Sequence, residues 1–187
     1  FAYDSQIKAA TARKGNKLKD EIVSITTPDG RTISEDGCIR PETTVEALSG
    51  LKPAFDQSGT VTAGTSSPLT DGASATLVTS ESYAKANGLK ILARIRATAV
   101  SGCAPEIMGI GPVESTKKVL QRAGLQLKDI DLFELNEAFA AQSLAVLKEL
   151  GADPAKVNID GGAIALGHPL GASGARITGK AASLLKR

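Results

Sequence analysis

The rhythm of apolar positions changes near residue 55. Up to about Pro53 the chain is polar and charged: a helix carrying Lys8, Arg13 and Lys14, then Lys17 and Lys19, then irregular excursions broken by Pro28, Asp29, Gly30 and by Glu35, Asp36, Gly37. From Phe55 onward, short β-branched runs alternate with helical periodicity, and strands are expected at residues 60–63, 75–79, 91–100 and 130–135. Between and after them, Thr116, Val119, Leu120 and Ala123 recur at helical spacing, as do Phe139, Ser143, Val146, Leu147 and Leu150. A third helix is expected from near Pro169, burying Ile177, Ala181, Leu184 and Leu185. Alternation of this kind predicts an α/β fold, with helices covering a sheet on both faces. No internal repeat or low-complexity tract interrupts it.

Composition narrows the function classes. The 42% hydrophobic content supports a real core, and 22 basic against 20 acidic residues give no bulk attraction to nucleic acid or membrane. Aromatics are too sparse for a base-stacking surface. Cys38 and Cys103 show no CxxC spacing, so neither a zinc site nor a disulfide framework is suggested and a reducing compartment fits. No apolar run approaches the roughly 20 residues that cross a bilayer. The chain begins at Phe1 and stops inside what reads as a helix, so sequence beyond either end is expected.

Three segments are too unusual to be filler. Residues 158–176 hold five glycines, a costly density for any regular element unless the backbone approaches something closely. His168, the only histidine, stands there just before Pro169, a residue suited to a first helical turn. The positive end of that helix disfavours imidazolium and favours a neutral, proton-accepting ring. Residues 136–140 (Asn-Glu-Ala-Phe-Ala) follow an expected strand; Asn136 as a cap and Glu137 in the first turn read as a helix start, while an Asn at a strand's C-terminal end also suits ligand holding, and the two roles can coexist. Residues 61–72 form a small, hydroxyl-rich loop around Ser67 that specifies no chemistry alone. The GxSxG elbow, the dinucleotide fingerprint, the P-loop and a metal cluster are all missing.

In this order the segments resemble the thiolase family. NEAFA at 136–140 and GGAIALGHPLGASG at 161–174 carry most of the likeness. The runs RPETTVEALSGLKPAF at 40–55, 60–64, and IMGIGP at 107–112 are similar to the degradative 3-ketoacyl-CoA thiolases of fatty-acid β-oxidation. The resemblance implies a thiolase-like layered fold, helices covering a mixed sheet. It also implies a division into residues 1–54, the end of the N-terminal region with its loop domain, and residues 55–187, a C-terminal domain truncated before its last strands. It implies His168 as general base, Asn136 as holder of a water in the oxyanion hole, Ser67 beside the pantetheine arm of coenzyme A, and Phe139 with Ala138 on the tunnel wall. Coenzyme A and acyl-CoA are then substrates and no other cofactor is implied. Self-association, association with a β-oxidation multienzyme, and a cytoplasmic location, or a mitochondrial or peroxisomal one in a eukaryote, are implied in the same way.

The departures from the family are large. Its acyl-carrying cysteine lies N-terminal to the matched region and its second cysteine in a CxG loop beyond Arg187, so Cys38 and Cys103 match neither. Cys103 is expected to be a buried small side chain. Three readings follow: an acyltransferase whose nucleophile lies elsewhere, a non-catalytic thiolase-like acyl-CoA-binding or partner protein, and a related condensing enzyme.

Overall fold

The computed structural model describes residues 1–187. Its helices are α1 (Ala2–Lys14), α2 (Val45–Ser49), α3 (Glu81–Ala86), α4 (Gly111–Ala123), α5 (Ala140–Leu150), α6 (Ala163–Leu166) and α7 (Leu170–Leu184). The only ladder is a hairpin, β1 (Ile25–Thr26) against β2 (Thr32–Ile33), antiparallel with Ile25 opposite Ile33. Its turn uses Gly30 at φ 83°, a left-handed conformation that costs glycine nothing. The chain divides into two compact units, one of residues 1–71, 135–144 and 158–168, the other of 72–134, 145–157 and 169–187.

In the first unit, α1 buries Ala2, Ser5, Gln6, Ala9 and Ala12, a single stripe at three- and four-residue steps. Because the stripe is built from small side chains, α6 can lie close against it; Ala9, Ala12 and Ala165 share a cluster with Leu18 and Ile39. A second cluster joins Ala2, Ala140 and Ile164. Gln6 stitches the packing with polar bonds, its Nε2 donating to the Ile164 carbonyl at 3.1 Å and its Oε1 accepting from the Arg40 amide at 2.8 Å.

In the second unit, α4 starts with Pro112 in its first turn and ends at Gly124, φ 67°, in a left-handed C-terminal cap. Thr116, Val119, Leu120 and Ala123 lie half-buried along it, as the spacing predicts. On α5, Val146 and Leu147 are buried as expected. On α7 Leu184 is buried but Leu185 is 61% exposed, a correction to the expected face: it sits one residue past the last helical turn and about 100° round from Leu184.

The expected strands need the larger correction. Residues 75–79 and 91–100 carry no ladder, and residues 60–63 and 130–135 contribute only single bridges, Thr62 with Pro53 and Phe133 with Val157. A β-branched run makes a strand only when a second backbone supplies the opposite hydrogen bonds. Here side chains take that place. Lys118 Nζ and Arg122 Nη1 donate to the carbonyls of Val100 and Thr98, and Ser74 and Thr76 hydroxyls donate to Ala172 and Ala175 of α7. Arg94 is tied to Glu81, whose carboxyl is held below the usual range by the Lys85 ammonium and then by the Arg94 guanidinium.

Cys103 is corrected with them. A buried small side chain was expected, but the thiol is exposed, beside the carbonyls of Ile107 and Met108. Replacing Cys103 with serine is therefore expected to change stability by less than about 0.5 kcal/mol. It should also leave covalent acylation of a nucleophile-bearing polypeptide intact, as read by intact mass. Loss of acylation on that change alone would contradict it.

Candidate active site

Residues 61–71, 136–140 and 158–168 of the three unusual segments fold into the first unit, while residues 169–176 belong to the second. The loop at 135–139 is held first by Asn158, whose side-chain amide donates to the Leu135 carbonyl and accepts from the Leu135 amide, both at 2.9 Å. Asn158 itself is 2% exposed and adopts φ 45°, a conformation asparagine tolerates better than most residues. Next along the loop, Ala138 offers its carbonyl to the Ser67 amide at 3.0 Å and the Ser67 hydroxyl at 3.2 Å. Phe139 bridges to Ser66 and sets its ring edge-on to Phe55, with centroids 6.4 Å apart. The hydroxyl-rich loop is thus a neighbour of the Asn-Glu-Ala-Phe segment, and Ser67, Ala138 and Phe139 lie together.

In the glycine-rich segment Gly161, Gly162 and Gly167 each make a close approach, whereas Gly171 and Gly174 face open space. A Cβ on Gly162 would fall 2.2 Å from the Glu137 carboxyl carbon, and one on Gly167, at φ 97°, would fall 2.6 Å from Thr70 Cγ2. At these positions the close approach is to the protein's own side chains. Directly after Gly167 comes His168, and its Nε2 lies 3.1 Å from Asn136 Nδ2. With the amide donating, Nε2 carries the lone pair of a neutral ring, the form that can accept a proton. Asn136 Oδ1 is buried and has no hydrogen-bond partner in the protein, so it is left as an acceptor for a donor group brought to the site.

Glu137 is where sequence reasoning fell short. The bland expectation made Asn136 and Glu137 the start of the following helix, but α5 begins at Ala140. Glu137 instead turns inward, 1% exposed, and caps a different helix: it accepts from the Ile164 amide in the first turn of α6 at 3.1 Å. It also accepts from Ser5 Oγ at 2.6 Å and Asn158 Nδ2 at 2.7 Å. Gly162 was the available signal, since its missing Cβ leaves the room that this carboxylate fills. Neither thiol supplies an evident nucleophile; Cys38 Sγ rests 4.0 Å from Thr70 Oγ1 and Cys103 is on the surface of the second unit. No group of three or more His, Cys, Asp or Glu residues could hold a metal ion.

Two family models match the chain. The model described as the thiolase N-terminal domain matches residues 1–82, and that of the thiolase C-terminal domain matches residues 89–187. The chain belongs to the thiolase family. A 3-ketoacyl-CoA thiolase of Marinobacter nauticus is 57% identical over 186 residues, covering 95% of this chain and 48% of the relative. The crystal structure of human mitochondrial 3-ketoacyl-CoA thiolase in complex with CoA aligns over all of this chain and 47% of its own, with a TM-score of 0.91 and 46% identity. The dimeric peroxisomal thiolase of Saccharomyces cerevisiae aligns likewise over all of this chain and 48% of its own, with a TM-score of 0.93 and 44% identity. The thiolase-like α/β fold is therefore that of solved relatives, and the chain spans about half the length of the curated relatives it matches. No helix is long and apolar enough to cross a membrane.

Proposed function

We propose that these residues supply the acid–base half of a degradative thiolase site, one that cleaves 3-ketoacyl-CoA with coenzyme A to acetyl-CoA and a shortened acyl-CoA. The observation that carries the reading is the Asn136–His168 pair, 3.1 Å apart in a chain of this family. His168 takes the proton of a nucleophilic cysteine that lies outside the 187 residues, and the thiolate adds to the keto carbonyl. The bond to the α-carbon then breaks, acetyl-CoA leaves as its enolate and takes a proton from a donor outside these residues, and the thiol of coenzyme A removes the acyl group from the cysteine. As negative charge develops on the keto oxygen, the imidazole and a water held by Asn136 face it. Ser67, Ala138 and Phe139, brought together by the Ala138 carbonyl, line the path of the pantetheine arm. Coenzyme A enters as a substrate. As in the yeast relative described as dimeric, self-association accompanies the intact enzyme, with a β-oxidation multienzyme as a further partner. The compartment is the cytoplasm, or the mitochondrion or peroxisome in a eukaryote.

Incubation with 3-ketoacyl-CoA and coenzyme A tests this. The 187 residues alone are expected to release no acetyl-CoA, because no thiolate is placed to form the acyl-enzyme. A polypeptide that also carries the cysteine-bearing region is expected to turn over and to gain the mass of one acyl group when coenzyme A is withheld. Turnover by the 187 residues alone would overturn the proposal. Tight acyl-CoA binding with no acylation of the longer polypeptide would favour the non-catalytic binding reading, and extension of a carrier-bound acyl thioester would favour a condensing enzyme.

A further inference from the structure

We propose that Glu137 is a positioning residue for the site, a buried carboxylate that sets the approach of Asn136 to His168 by holding the segments that carry them. This rests on the reading of Asn136 and His168 as the acid–base pair. The carboxylate is one residue from Asn136, and its bond to the Ile164 amide anchors α6, which leads through Gly167 into His168. Both members of the pair thus hang from one fixed group. A relay closes the arrangement: the Gly162 amide donates to Ser5 Oγ at 3.0 Å, and Ser5 donates onward to Glu137.

The chemistry of the pocket specifies a carboxylate. One oxygen accepts from both Ser5 Oγ and the Ile164 amide, the other from Asn158 Nδ2. Glutamine has the same shape but one oxygen fewer, so its NH2 must face a donor in either orientation. Asn158 cannot turn to accommodate it, because its own amide is fixed at both ends by the Leu135 backbone. Glu137→Gln therefore keeps the volume and removes the clamp.

His168 is the only histidine of the chain, so its ring gives one imidazole system in a long-range 1H–15N correlation spectrum. The wild-type chain is expected to show a single tautomer with the lone pair on Nε2. Glu137→Gln should lose it, the two nitrogen resonances moving toward the averaged values of an unrestrained ring. Ser5→Ala, which removes one donor and the relay, should give a smaller shift in the same direction and serves if Glu137→Gln does not fold. Val146→Ala, which opens a cavity in the second unit, should leave the ring spectrum unchanged despite its loss of stability. An unchanged spectrum in folded Glu137→Gln, or in Ser5→Ala where the former does not fold, overturns the proposal, as does an equal change in Val146→Ala. A changed spectrum combined with full turnover after His168→Ala in a nucleophile-bearing polypeptide supports the positioning role and overturns only the catalytic reading.

Discussion

Replacing His168 with alanine in a polypeptide that carries the nucleophilic cysteine is expected to lower kcat for 3-ketoacyl-CoA cleavage by about 10²- to 10⁴-fold, the range over which a positioned general base acts. Asn136→Ala should cost about 10²- to 10³-fold, the loss of one oxyanion-stabilising contact. The two effects should not multiply. Nδ2 of Asn136 and Nε2 of His168 meet at 3.1 Å, so removing either also releases the other. Residues acting as one unit are strongly non-additive, and the double variant should be about as slow as the worse single one. Single-turnover acylation, followed by the mass of the acyl-enzyme, separates this step from product release. A double variant slowed by the full product of the single effects would show that the two side chains act independently.

The second large effect is on stability. Gly161 has φ 86°, and a Cβ there would fall 2.6 Å from Ala9 Cβ, 2.8 Å from the Ala9 nitrogen and 2.8 Å from the Ser5 carbonyl oxygen. Two of those atoms are backbone of α1 and cannot swing aside. Gly161→Ala therefore combines a left-handed conformation, about 1–2 kcal/mol for a residue with a Cβ, with overpacking of about 1–3 kcal/mol. A loss of about 2–5 kcal/mol is expected, a large part of the stability of an ordinary domain. Urea unfolding reads it directly as a shift in midpoint at constant slope. A loss below about 1 kcal/mol would mean that α1 and α6 can separate without penalty.

Helices were legible where an apolar stripe repeats within one element, as on α4, α5 and most of α7, because the period is a local property of the chain. Asn136 and His168 stood out as candidates because their segments break local rules, through glycine density in one and a polar residue at the end of an apolar run in the other, while the roles proposed for them came from the resemblance. The strands were not. Residues 75–79 and 91–100 have the right composition, but a ladder depends on a partner backbone that no local pattern encodes, and the expected burial of Cys103 failed with it. Glu137 was hidden for a related reason. Its donors come from Ser5, Asn158 and Ile164, at separations of 132, 21 and 27 residues, so nothing beside it in sequence announces its role.

Those separations also order events in time. Gly162, which donates to Ser5, is added to the growing chain 157 residues after it. At ordinary elongation rates that is an interval of roughly 10–30 s. Throughout it the alanine stripe of α1 has no α6 to cover it, and non-local contacts of this kind are slow to form even once both partners exist. In that interval the small-residue stripe of α1 is without its covering helix, and Asn136 and His168, 32 residues apart, are brought together only after Gly162 has been added.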